Sequence, residues 1–175
     1  MERQDWPTAW LFTDERIDRE LDDAMRRAAA AGAGIVVRHH RSSPERRRGL
    51  AEQVKGLGAV LAVARDVELA AQVGAALIHN PLACATELPF SLSVHDDAEA
   101  RLAAERRPAL VFISPVHETR SHEGARPLGE ERAIELMLMA GRPAIALGGM
   151  DDRRGRTLME RGFHGWAGID CWLRT

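Results

Sequence analysis

The chain has no tyrosine, two cysteines and a single lysine, Lys55, in 175 residues. Each scarcity excludes something. Cys84 and Cys171 form neither a CxxC pair nor a zinc-type spacing, so thiol-ligated metal chemistry has no support, and the pair suits a reducing compartment as buried or free thiols. The almost complete replacement of lysine by arginine reads as base-composition bias. A formal net charge of -2 offers no case for nucleic acid or an acidic membrane as partner. No apolar run approaches the roughly 20 residues of a membrane span, and the opening MERQDWPTAW has no apolar signal region, so the chain is expected to be cytoplasmic. There is no GxGxxG after the first apolar run, no HExxH and no low-complexity linker. Residues 1–175 are read as one domain.

What is present is a series of short apolar runs separated by helical patterns. The runs fall at 9–12, 34–37, 60–64, 75–78, 90–94, 109–113, 143–147 and 164–169. Ser43 before Pro44, Asp66, and Asp96 followed by Glu99 are helix starts. Pro81 and Pro89 bracket the stretch after the fourth run, so its helix is reduced or missing. Continuous apolar strands alternating with helices indicate a parallel sheet covered on both faces. Eight such units predict a compact (β/α)8 TIM barrel, with an open doubly wound sheet as the alternative.

The most informative connection is FISPVHETRSHEGARPLG, residues 112–129. It leaves a buried strand, passes through a long polar loop and enters a helix. Connections of about 4–6 residues are the norm, so this one is a candidate ligand loop. In a barrel the site lies at the C-terminal strand ends. That rim would collect Thr13, Asp14, Arg38, His39, His40, Arg65, His79, Asn80, His95, Ser114, His117, Thr119, Arg120, Ser121 and His122, with only His164 of the seven histidines at the opposite end. Gly148, Gly149 and Gly168 end the seventh and eighth strands, where loops commonly hold phosphate. Arg46, Arg47 and Arg48 read as a solvated helix face.

With these pieces in order, the chain resembles the thiamine phosphate synthase/thiazole tautomerase family. The resemblance covers most of the chain. It rests on Leu11-Phe12-Thr13-Asp14, Val36-Val37-Arg38, the run from Asp66 to Ala70 with Gly74 and His79, Ser93-Val94-His95 with Glu99, Ser114-Pro115-Val116 through Thr119 to Gly129, and Ala146-Leu147-Gly148-Gly149-Met150. It implies a barrel that binds a thiazole phosphate or thiamine phosphate. The synthase of that family joins a pyrimidine methyl diphosphate to the thiazole with loss of diphosphate, and the leaving group needs Mg²⁺, Arg and Lys to absorb its charge. By the resemblance, Arg38, Ser93, Thr119, Ser121, Gly148 and Gly149 match binding positions, and His40 and His122 stand where the family has lysines.

The Asn-Asp pair of the family after the third strand reads Ala64-Arg65, and residues 81–84 offer no carboxylate. No metal ligand set is therefore assigned, and the expectation is an enzyme working without Mg²⁺ or another cofactor. The tautomerase branch moves a proton on a thiazole carboxylate phosphate, a task for a base near neutral pKa. The family's histidine position reads Pro115 here, and His117 stands two residues on. The expected assignment is His117 or His122 as acid/base, Arg38 beside them, and Ser93, Thr119, Ser121, His40, Gly148, Gly149 and Gly168 holding substrate and phosphate. The expected partner is a small phosphorylated thiazole or thiamine phosphate, with self-association left open. The alternatives are a divergent synthase, a non-catalytic binder of thiamine phosphates and, last, a histidine-bound metal hydrolase.

Overall fold

In a computed structural model of the chain, residues 5–82, 87–120, 124 and 126–173 are described. Eight parallel strands close into a barrel in sequence order: β1 (Ala9–Phe12), β2 (Gly34–Val37), β3 (Leu61–Ala64), β4 (Leu77–His79), β5 (Phe90–Val94), β6 (Leu110–Ile113), β7 (Ala144–Leu147) and β8 (Gly165–Gly168). Trp10 of β1 lies opposite Ala167 of β8, which closes the ring and excludes the open doubly wound sheet.

The helices are α1 (Leu21–Ala30), α2 (Pro44–Gly56), α3 (Val67–Val73), α4 (Asp97–Arg106), α5 (Glu130–Ala140) and α6 (Asp152–Glu160). No helix occurs between β4 and β5 among the described residues, in line with the bracketing prolines; residues 83–86 lie outside the description. After β8 a 3-10 turn at Asp170–Trp172 stands where a helix would complete the last unit, and Trp172 stacks on Trp166 at 5.6 Å.

Local chemistry sets where the helices start. Ser43, Asp66, Asp96 and Asp151 each accept the backbone N–H three residues on, a cap contributing about 1 kcal/mol. The box expected at Asp96 and Glu99 differs in one detail: the Glu99 carboxylate accepts from the His95 N–H at 2.7 Å, one residue earlier than the motif requires. His95 is thereby tied down at the rim.

The fourth strand begins two residues later than the apolar run suggests. Gly74 ends α3 in the left-handed region, and the Ala75 N–H still bonds the Ala70 carbonyl, so Ala75 belongs to the helix exit. His79 is consequently the last residue of β4 and points into the barrel, only 4% exposed.

The few aromatics are concentrated where they matter. Trp10 and Phe12, two apart and so on one face of β1, meet Phe112 and His79 edge to face, with ring centroids 5.0–5.8 Å apart. These four rings pack together in the buried core of the barrel. Truncating Phe112 to alanine is expected to cost roughly 3–5 kcal/mol. Gly155 lets α6 close on β8, because a Cβ there would overlap the Trp166 ring. No helix among the described residues is long and apolar enough to cross a membrane.

Candidate functional site

Two cavities open at the C-terminal strand ends and share Leu147 in their walls. The first, about 430 Å³, lies over β7 and β8 and is lined by Gly148, Gly149, Gly168, Thr119, Arg120 and Arg16, among others. The second, about 460 Å³, lies over β2 to β5 and presents Arg38, His40, Arg65, His79, Ser93 and His95.

In the first lobe, Gly148 and Gly149 have φ of 98° and 61°. A Cβ on Gly148 would come within 2.8 Å of Pro115, and one on Gly149 would collide with the Glu118 carbonyl oxygen. Only glycine fits this double turn. The long loop packs against it: the Val116 and His117 N–H groups bond the Leu147 and Gly148 carbonyls at 2.9 and 3.1 Å. The Arg154 guanidinium holds the Gly149 carbonyl. Neither Gly148 nor Gly149 donates its own N–H to another backbone group among the described residues. Two backbone donors beside Arg16 and Arg120 are what an oxyanion requires. Arg16 also pairs with Asp170 at 2.7 Å, joining the first and last loops of the rim.

In the second lobe, Arg38 pairs with Asp14 at 2.5 Å, and its guanidinium lies 6.0 Å from the centroid of the Phe12 ring. The Arg38 N–H bonds the Thr13 hydroxyl at 2.9 Å. Asn80 organises the floor: its Nδ2 donates to the Ser93 hydroxyl, and its Oδ1 accepts from the Ser93 N–H, both at 2.8 Å. His79 Nδ1 contacts the Ser91 hydroxyl at 3.0 Å, while Nε2 lies 3.3 Å from the Asn80 amide nitrogen. Because that amide donates, Nε2 accepts and Nδ1–H donates to Ser91. Burial, then Arg38, His40 and Arg65, depress the His79 pKa to about 3, so the ring is neutral. His40 is also held below its ordinary value, first by desolvation and then by Arg65, Arg38 and Arg47.

Several expected site residues therefore converge, in two groups: Arg38, His40 and Ser93 in one lobe, Thr119, Gly148, Gly149 and Gly168 in the other. Ser121 and His122 lie outside the described residues. His117 stands behind Gly149 rather than among the residues lining either lobe. Its Nε2 lies 3.7 Å from Glu130 Oε1 and, buried, makes no hydrogen bond among the described residues. Desolvation and then Arg154 lower its pKa, against the pull of Glu130 and Asp151. His39, expected at the rim, is fully buried between Thr13 and Asp18 and faces no cavity.

Sequence reasoning missed Arg16, Asp170 and Arg154. Arg16 and Asp170 are 154 residues apart, and nothing local marks them as partners.

The second lobe does not suit a divalent cation. Among the residues lining it the only carboxylate is Glu99, already bound to the His95 N–H and 3.3 Å from His95 Nδ1. No three His, Cys, Asp or Glu side chains among the described residues group into a metal site.

The described residues thus form a (β/α)8 barrel with a bipartite polar site at the C-terminal rim. A family model described as thiamine monophosphate synthase matches residues 9–171, and the chain belongs to that family of thiamine biosynthesis. Over 81 residues it is 30% identical to the protein named "Putative thiamine-phosphate synthase 2" of Aquifex aeolicus, a match spanning 46% of this chain and 44% of that relative. Among solved structures, the thiamine phosphate pyrophosphorylase of Pyrococcus furiosus superposes with a TM-score of 0.77 at 21% identity, covering 96% of this chain and 87% of that one. The thiamine phosphate pyrophosphorylase of Bacteroides thetaiotaomicron gives 0.66 at 15% identity, covering 94% and 83%. At these identities the two superpositions establish the shared fold.

Proposed function

We propose that this chain is an enzyme of thiamine biosynthesis that acts on a thiazole phosphate without a divalent cation. The observation that carries the reading is the pairing of an intact glycine turn with a cationic second lobe. The turn offers backbone donors to a phosphate, while the lobe offers arginine and histidine and no free carboxylate for a metal.

In this reading the phosphate sits on the Gly148–Gly149 turn with Arg120 and Thr119 beside it, and the thiazole ring extends toward Leu147. The step is a proton shift: a neutral imidazole takes a proton from the ring system, and the imidazolium returns it elsewhere on the same molecule, with nothing gained or lost. His117 has the required neutral character and an Nε2 that makes no hydrogen bond among the described residues, and its ring must reach past the glycine turn to act. His122 is the second candidate, and His40 is already in the cavity wall. Arg38, fixed by Asp14 and Thr13, orients the substrate.

The test is isomerisation of thiazole carboxylate phosphate, followed in EDTA for the wild type and for His117→Ala, His122→Ala and His40→Ala. A rate loss of 10²-fold or more in one variant, with thiazole phosphate binding retained, identifies the base. Binding without turnover in the wild type would make the chain a binder. A second reading, a divergent synthase, is favoured by Arg38 and Arg65 in one lobe, since two guanidinium groups can absorb the charge of a departing diphosphate. Coupling of the pyrimidine diphosphate to thiazole phosphate would establish it.

A further inference from the structure

The turn after β3 carries a cation, Arg65, where the family resemblance calls for the aspartate of an Asn-Asp pair. Arg65 has a φ of 68°, a left-handed conformation that side chains other than glycine rarely adopt. The turn is pinned: the Arg65 N–H donates to the His79 carbonyl at 2.8 Å and the Asp66 N–H to the Ala64 carbonyl at 2.9 Å. The neighbouring carboxylate is turned away. Asp66 caps α3 through the Leu69 N–H and pairs with Arg47 at 2.9 Å, and Arg47 also donates to the Ala64 carbonyl. The Arg65 side chain lines the second lobe with Arg38 and His40 and has no ion pair or hydrogen bond among the described residues.

Among the described residues, the carboxylates nearest the lobe are engaged. Asp14 holds Arg38, Glu15 accepts from the Arg41 N–H at 2.8 Å, and Glu99 accepts from the His95 N–H. The cavity wall carries surplus positive charge with donors at Ser93 and His40, a lining that suits an anion. The left-handed turn thus places an exposed, unpaired arginine side chain in the wall of the cavity, where it is free to meet a ligand. A guanidinium binds oxyanions through parallel N–H donors, so it can take the charge-balancing place of a metal.

We propose that Arg65 makes this lobe a metal-independent site for a second oxyanion, a phosphoryl or carboxylate group on a substrate whose phosphate occupies the glycine turn. Only the placement of that first phosphate rests on the function proposed above. The two anions would set the substrate across Leu147, the residue common to both lobes.

The experiment is calorimetric titration of the full chain, in EDTA and then in Mg²⁺, with two probes: inorganic diphosphate, and a thiazole carboxylate that lacks phosphate. The better ligand tells which oxyanion the lobe takes. The expected result is binding of at least one probe in EDTA, a change of no more than about twofold on adding Mg²⁺, and at least tenfold weaker binding in Arg65→Ala. Arg65→Gly serves as the second variant, because glycine adopts the same φ without strain, so its loss of binding reports the missing charge rather than a disturbed turn. Failure of both probes to bind in EDTA, or unchanged affinity in Arg65→Gly, overturns the proposal. Thiazole phosphate titrated in parallel separates the two ideas. If it fails to bind the wild type while Arg65-dependent probe binding holds, the proposed function falls and the oxyanion lobe stands.

Discussion

The Thr13 hydroxyl and His39 Nδ1 are 2.8 Å apart, both fully buried, and the tautomer of the ring follows from what each touches next. Thr13 Oγ1 accepts the Arg38 N–H, and His39 Nε2 faces the Asp18 carboxylate at 3.1 Å. A bare Nε2 against a carboxylate would be repulsive, so Nε2 carries the proton and donates to Asp18. Nδ1 then accepts from the threonine. The arrangement has the outline of a nucleophile–base–acid triad. Its hydroxyl, however, is sealed inside the protein and already holds the Arg38 backbone. It is a brace that fixes the start of the β2 loop and with it Arg38.

Thr13→Val keeps the shape and removes the hydroxyl, leaving the Arg38 N–H and His39 Nδ1 without partners. Each unsatisfied buried group costs about 1–3 kcal/mol, so urea unfolding should show a loss of about 2–6 kcal/mol, while Thr13→Ser should lose about 1 kcal/mol or less. If Thr13→Val were as stable as the wild type, the brace would carry no energy.

At the glycine turn, Gly149→Ala should weaken thiazole phosphate binding at least tenfold, read by calorimetry. The added Cβ meets the Glu118 carbonyl and must adopt a positive φ, so the turn shifts and its two N–H groups lose their common aim. Gly141 is a control on the same kind of backbone: its φ is 58°, but nothing lies within 4 Å of a Cβ there. Gly141→Ala should cost a little stability and leave binding alone.

His79 makes stability depend on pH. Its folded pKa is about 3 and its unfolded value about 6.5, so between these values the unfolded state binds a proton that the folded state refuses. The contribution is level above pH 6.5 and lost as pH falls toward 3, with a slope of about 1.4 kcal/mol per pH unit in that window. Chemical denaturation at pH 7.5 and pH 5 measures it. His79→Gln, which keeps hydrogen-bonding groups but cannot titrate there, should flatten the curve by about one proton.

The barrel was legible because its evidence is local. Each strand is a run of apolar residues, and Ser43, Asp66 and Asp96 announce their helices by side-chain chemistry that acts over three residues. The glycine turn was legible for the same reason. The rim histidines were not, because their roles depend on depth. His39 and His40 are adjacent in sequence, yet one is fully buried against Thr13 and the other lines a cavity. His117 follows Val116 into the loop, but whether it faces the cavity or the back of Gly149 is decided by a hydrogen bond to the Gly148 carbonyl, a partner more than 30 residues away. Arg65 shows the same limit: the residue type hints at charge, while the φ that aims it exists only once β4 supplies the His79 carbonyl.

His40 should take up a proton when an anion enters the second lobe. In the free protein, desolvation and three arginines, Arg65, Arg38 and Arg47, hold its pKa below the ordinary value, so at pH 7.5 it is neutral. An arriving oxyanion offsets the arginines and accepts a hydrogen bond from the charged ring, so both effects raise the pKa. Binding heats measured in buffers of different ionisation enthalpy should then differ in proportion to that enthalpy, with the sign of proton uptake, and affinity should fall as pH rises through the bound-state pKa. His40→Ala should abolish the buffer dependence and lose only part of the affinity, since Arg65 remains. Equal heats in all buffers would mean that His40 stays neutral beside the anion, and that the arginines alone hold it.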